Sequence, residues 1–148
     1  MITRAKFFFP DGRIRFLRMR IAPSTITNAG LGCFTQNFIP KGAYGVYQGV
    51  FNQNKDTGSK YAWEIDDYDR KTGCFIPSTP IGFIDAKNPK YGNWTRYVNC
   101  GITRGANNMK PYQKFQKMYY MALQDISAGA ELFIDYGTEF REGLGIYY

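Results

Sequence analysis

Several short stretches carry residues able to do chemistry without a metal or a histidine. "NAGLGCF" places glycines at Gly30 and Gly32, and "VYQG" places a phenol at Tyr47. "NWTRYVNC" sets the amide of Asn99 beside the thiol of Cys100, and "ELFIDYG" ends on Tyr136. The Gly-x-Gly pair is either a tight turn between strands or a backbone free to lie against a ligand. Asn99 closes a run, Trp94, Tyr97 and Val98, that reads as a buried strand. A buried amide must find partners or cost stability, so either the chain turns at Asn99 or Asn99 holds something. Tyr47 and Tyr136 are each followed closely by glycine, a placement from which two phenols can enter one pocket. Taken singly, each of these residues also has a structural reading as packing or turn.

The elements that must position them are strands. "FFFPDGRIRFLRMRIA" reads as strand, Pro-Asp-Gly turn and strand, with Ile14, Phe16, Leu17, Met19 and Ile21 as its apolar residues. "FIPKGAYGVYQGVF" is a turn leading into a strand, and "YAWEID" and "IGFIDA" are short strands separated by polar loops. "KPYQKFQKMYYMALQDI" reads as a hairpin bending near Gln116 and Lys117, and "SAGAELFIDYG" as a glycine turn and a strand. No amphipathic pattern longer than a turn or two is capped at both ends. The expected class is mainly β, one domain over residues 1–148.

Composition narrows the chemistry. A chain of 148 residues with 44% apolar residues can bury a real core. The aromatic share, 18%, favours strands and can line a groove with rigid rings. The absence of histidine removes Ser–His–Asp and Cys–His catalysis and most catalytic zinc sites. Cys33, Cys74 and Cys100 are odd in number and widely spaced, so no metal site or disulfide framework is expected, and a reducing, intracellular compartment is. No apolar run is long enough for a membrane span. The net charge of +7 suggests an acidic partner or simply solubility, with basic residues spread rather than clustered.

In order, "GLG", "YQG", "YAWEI", "NWTRYVNC" and "ELFIDYG" resemble the SET domain of protein lysine methyltransferases. The likeness is to the PR subclass, whose common form reads "NW-x-RYVNC" and ends "EL-L-V-x-YG". It runs from about Arg18 to Ile146, so residues 1–17 read as an N-terminal hairpin extension, 18–140 as the SET core and 141–148 as a C-terminal tail. The resemblance implies a fold of several small β-sheets with a C-terminal pseudoknot, in which "RYVNC" and "ELFIDYG" cross. It also implies S-adenosylmethionine as cofactor, held by Gly30, Leu31, Gly32, Phe34, Tyr97, Asn99, Cys100 and Tyr136. Cys100 stands where the standard SET motif has histidine, as is usual in PR domains, and Asp135 where PR domains often have tryptophan. Tyr136 matches the tyrosine taken as catalytic, with Tyr47 a second channel tyrosine. Tyr47, Trp63 and Ile134 would line the substrate lysine channel. Ile134 lacks the hydroxyl that restricts space in some relatives, which leans towards di- or trimethylation. Tyr147 and Tyr148 either close over the adenine or fray.

The chemistry implied is a direct displacement that needs a neutral amine aligned with the methyl group, and a dry aromatic channel favours the neutral form. The expected activity is protein lysine N-methylation of histone tails in a nucleus, or a host nucleus if the source is viral. The alternatives are a catalytically silent PR-type interaction module, and a β-rich nucleic-acid binder. Glu64, Asp66, Asp67 and Asp69 are either the acidic wall of a groove for a basic tail or a solvated loop. A basic outer face can instead meet nucleosomal DNA.

Overall fold

The computed structural model describes residues 1–53 and 55–148. Its first two strands, β1 (Ile2–Phe8) and β2 (Ile14–Pro23), form the hairpin read from the sequence. Alternation drives it: Ala5 and Phe7 of β1 and Leu17, Met19 and Ile21 of β2 are buried, while the residues between them face outward. Gly12 closes the turn at φ +82°, where a side chain would be strained.

This hairpin is not an appendage. With β3 (Leu31–Thr35), β4 (Tyr44–Val46), β8 (Met109–Lys114) and β9 (Lys117–Ala122) it builds a six-stranded sheet ordered β3-β2-β1-β4-β9-β8. The boundary drawn from motifs at residues 17 and 18 falls inside β2, and β1 lies in the interior of the sheet. Motif matching ends where the family's signature ends, whereas the hydrophobic core takes in Ala5 and Phe7 at 0% exposure.

A second sheet, ordered β5-β7-β6, is made by β5 (Val50–Gln53), β6 (Ala62–Tyr68) and β7 (Phe75–Asp85). β7 is longer than the "IGFIDA" expected, since β6 continues to pair with it as far as Tyr68–Phe75 past two irregularities in register.

The strand expected at Trp94–Val98 is a 3₁₀ helix, Trp94–Tyr97. Asn93 caps it, its side chain accepting from the Thr95 amide at 3.0 Å and from the Thr95 hydroxyl. The cap satisfies a donor that a strand would have turned to a neighbour. Beyond it Asn99 bridges Phe133 in parallel, and the Ile134 amide donates to the Asn99 carbonyl at 3.0 Å. The two segments expected to form the pseudoknot are therefore in direct contact, with 131–134 held also by Asn108. The Asn108 side chain accepts from the Phe133 amide and donates to the Glu131 carbonyl, both at 2.9 Å. A short helix α1 (Thr138–Gly143) follows Gly137, whose φ is +100°.

Candidate active site

Tyr136 is placed by what comes just after it. The Asp135 carboxylate accepts from the Gly137 amide at 2.8 Å and from the Arg141 guanidinium at 2.7 and 2.9 Å, which fixes the turn from the bridged segment into α1. The Tyr136 ring lies between Trp63, stacked at 5.1 Å, and Phe140 at 4.8 Å. Tyr136 is partly exposed as a residue, while its hydroxyl is enclosed. That hydroxyl donates to the Val98 carbonyl at 2.6 Å. It accepts from Tyr120 at 3.2 Å, and Tyr120 accepts from Trp63 Nε1 at 2.8 Å. Burial pushes the pKa of Tyr120 and Tyr136 well above the usual phenol value, so both are neutral.

Tyr136 forms part of the wall between two cavities. One, of about 410 Å³, is lined by Gly30 and Leu31 on one side and by Tyr97, Asn99 and Cys100 on the other. The second, of about 510 Å³, is lined by Trp63, Glu64, Asp66 and Glu139. Lys60, Tyr136 and Phe140 line both. Two cavities that share Tyr136 in their lining can bring two molecules to the same phenol.

The sequence identifies the family. The family model described as "PR domain zinc finger protein 2, PR domain" matches residues 19–147. The chain belongs to the PR-domain family. It is 30% identical over 131 residues to a human protein named histone-lysine N-methyltransferase PRDM7, covering 86% of this chain and 25% of that one. It is 32% identical over 124 residues to histone-lysine N-methyltransferase set-17 of Caenorhabditis elegans, covering 82% and 41%. The chain thus spans less than half of either relative. Among solved structures it resembles the methyltransferase domain of human PR domain-containing protein 2, at TM-score 0.61 and 28% identity, covering 81% of this chain and 77% of that one. The fold is that of SET domains.

Within this PR domain the residues singled out from the sequence divide. Gly30, Leu31, Tyr97, Asn99, Cys100 and Tyr136 line the smaller cavity, and Trp63 lines the larger. The Asn99 amide nitrogen donates to the Leu31 carbonyl at 3.0 Å, so it ties β3 to the 99–100 segment and leaves its side-chain oxygen as an acceptor. Gly32, Phe34, Tyr47 and Ile134 line neither cavity. Gly32 backs onto Glu131, and Phe34 is buried beneath the Arg20 guanidinium. Tyr47 is 2% exposed, donates to the Tyr61 carbonyl and stacks on Tyr120 at 5.3 Å. Ile134 is fully buried in the core. Of the late aromatics, Tyr147 is 76% exposed, while Tyr148 donates to the Gly101 carbonyl at 3.0 Å and accepts from Asn107 at 2.8 Å. Leu144 and Ile146 reach the cavity instead.

The PR domain also uses residues that sequence reasoning passed over. Glu131 accepts from the Ser24 hydroxyl at 2.6 Å and from the Thr25 amide and hydroxyl at 2.8 and 2.7 Å, anchoring the loop that leads to Gly30. Tyr120 read as one more hairpin aromatic. Of the acidic cluster, Glu64 and Asp66 face the larger cavity. Asp67 is bound to the Tyr68 amide and to Arg70, and Asp69 caps the turn at Lys71 and Thr72, so hydrogen bonds hold both carboxyls below the usual range.

Proposed function

We propose that this PR domain is an S-adenosylmethionine-dependent protein lysine N-methyltransferase acting on histone tails. The observation that carries this reading is Tyr136 in the wall shared by the two cavities, its hydroxyl held between Val98 and Tyr120. The smaller cavity suits the cofactor in size and in chemistry. Tyr97 offers a ring for the adenine, the Asn99 side-chain oxygen an acceptor, and Lys60 and Arg96 positive charge for a carboxylate. When bound, the cofactor supplies an electrophilic methyl group on a sulfonium.

The chain's own residues do the positioning. A lysine entering the larger cavity passes Trp63, Tyr136 and Phe140, whose apolar faces disfavour the ammonium form. Since the Tyr136 hydrogen is committed to Val98, its remaining lone pair can accept from the amine or from polarised methyl hydrogens. Glu64, Asp66 and Glu139 give the same cavity negative charge for a basic peptide, although the chain as a whole is basic. Work on histones would place the protein in a nucleus.

Transfer of labelled methyl groups from S-adenosylmethionine to core histones and to a panel of lysine peptides tests this, wild type beside Tyr136→Phe. Signal lost in the mutant is the expected result. Silence from folded wild-type protein on every substrate would replace this reading with that of a PR-type interaction module.

A further inference from the structure

The charges of this chain are sorted by sheet. No aspartate or glutamate lies in any strand of the six-stranded sheet, and no lysine or arginine in any strand of the three-stranded one. Strand register then decides which face the cations occupy. Arg4 pairs with Arg18, Ile2 with Arg20 and Lys6 with Phe16, on the side opposite the buried Ala5, Phe7, Leu17 and Met19. The pairs Phe8–Tyr44, Val46–Tyr119 and Tyr112–Tyr119 carry that face across to the β8–β9 hairpin, where Lys110, Lys114 and Lys117 join it. Like charges directly opposite each other destabilise a sheet. Here Arg4 faces Arg18 and Lys114 faces Lys117, and none of these cations makes an ion pair among the described residues. Their field is left for something outside the domain.

The face is aromatic as well as basic. Phe16 is 51% exposed, with Phe8, Tyr44 and Tyr119 half-buried between the strands' cations, and Tyr112, 41% exposed on the edge strand β8, also lines the larger cavity. The Arg4 guanidinium lies over the Phe16 ring at 3.7 Å, presenting a flat cation to solvent. β1 and β4 pair only at Phe8–Tyr44. Beside that pair a slot of about 310 Å³ is lined by Lys6, Phe16, Lys117 and Tyr119, with the nearly buried Trp94 and the amides of Gln48 and Asn93.

We propose that this outer face binds single-stranded nucleic acid, with phosphates on the lysines and arginines and bases on the rings and the Arg4 guanidinium. A duplex hides its bases from a flat sheet and would meet only the cations, whereas unstacked bases can lie on exposed rings and enter a slot. An acidic peptide would likewise leave the aromatic surface unused. The proposal does not depend on methyl transfer.

The test is fluorescence anisotropy with labelled oligo(U) and oligo(dT) of about twelve nucleotides, beside a duplex of equal length and a poly-glutamate competitor. For contacts to about four phosphates, the logarithm of single-strand affinity should fall against the logarithm of salt with a slope of about −3. Phe16→Ala should weaken single-strand binding about tenfold with the slope unchanged, as loss of a stacked base does. Lys6→Gln should reduce the slope, and Lys71→Ala, in a loop of the other sheet, should do neither. Thermal melting confirms that each variant is folded. A preference between oligo(U) and oligo(dT) identifies the nucleic acid, and either choice agrees with the proposal. No binding, duplex bound as tightly as single strand with Phe16→Ala silent, or displacement by poly-glutamate at equal charge would each overturn it, the second in favour of duplex DNA and the third in favour of an acidic protein.

Discussion

The hydroxyls of Tyr120 and Tyr136 lie 3.2 Å apart, and the first is held in turn by Trp63 Nε1 at 2.8 Å. Donation thus runs in one direction, from Trp63 through Tyr120 to Tyr136 and on to the Val98 carbonyl. Tyr120 is fully buried and lines neither cavity, so it acts as a positioning residue. Tyr120→Phe leaves the Trp63 donor without its acceptor and should lower stability by about 1–3 kcal/mol. On the proposed activity it should reduce kcat about tenfold while KM for peptide stays within error. A matching rise in KM, with kcat intact, would show that Tyr120 only supports the cavity wall.

Alkaline pH should unfold this protein early. Burial raises the pKa of the Tyr47 and Tyr120 phenols above the ordinary value. Below about pH 10 these phenols are neutral in both folded and unfolded chains and impose no pH dependence. Above it the unfolded chain ionises while the folded one resists, so stability falls as pH rises. The slope is about 1.4 kcal/mol per pH unit for each such tyrosine. Melting temperatures measured from about pH 8 to about pH 11 should be level at first and then drop, and Tyr120→Phe should drop less steeply. A level profile to the end of that range would contradict the burial of both phenols.

Gly32 should not tolerate even alanine. A Cβ there would sit 2.4 Å from the Glu131 carboxylate oxygen and 3.2 Å from the Ser24 Cα. The carboxylate cannot step aside without losing its bonds to Ser24 and Thr25. Gly32→Ala is expected to cost about 1–3 kcal/mol and to raise amide hydrogen exchange in the 24–30 loop. Unchanged exchange there would mean that Glu131 is not what holds the loop.

The acids of the larger cavity should act on substrate binding and not on chemistry. With Glu64→Gln and Asp66→Asn combined, KM for a basic peptide should rise several-fold at low ionic strength and kcat should hold. The difference should shrink as salt is added, because partly exposed charges are screened. A salt-independent change would point to altered packing.

Much of this was readable in the chain. The β1–β2 and β8–β9 hairpins follow from alternation and turn residues, both local signals, and the second bends at Phe115–Gln116, one position from where the sequence put it. The ordered motifs identified the family and a mainly β SET fold. Local composition misled at Trp94–Tyr97, where large apolar residues suit a strand and only the Asn93 cap argues for a helix.

Other facts belong to the tertiary structure alone. Glu131 finds Ser24 across 107 residues of sequence, and no spacing rule reaches that far. The acidic cluster looked uniform along the chain. Backbone geometry turned Asp67 and Asp69 to the loop, while Glu64 and Asp66 faced the cavity. Net charge, residue types and the alternation of each strand are properties of the chain and were determined by its sequence. Which cations share a face, and that Tyr136 stands between two cavities, depends on strand order and on contacts between distant segments. Those are decided only when burial of the whole core selects one packing.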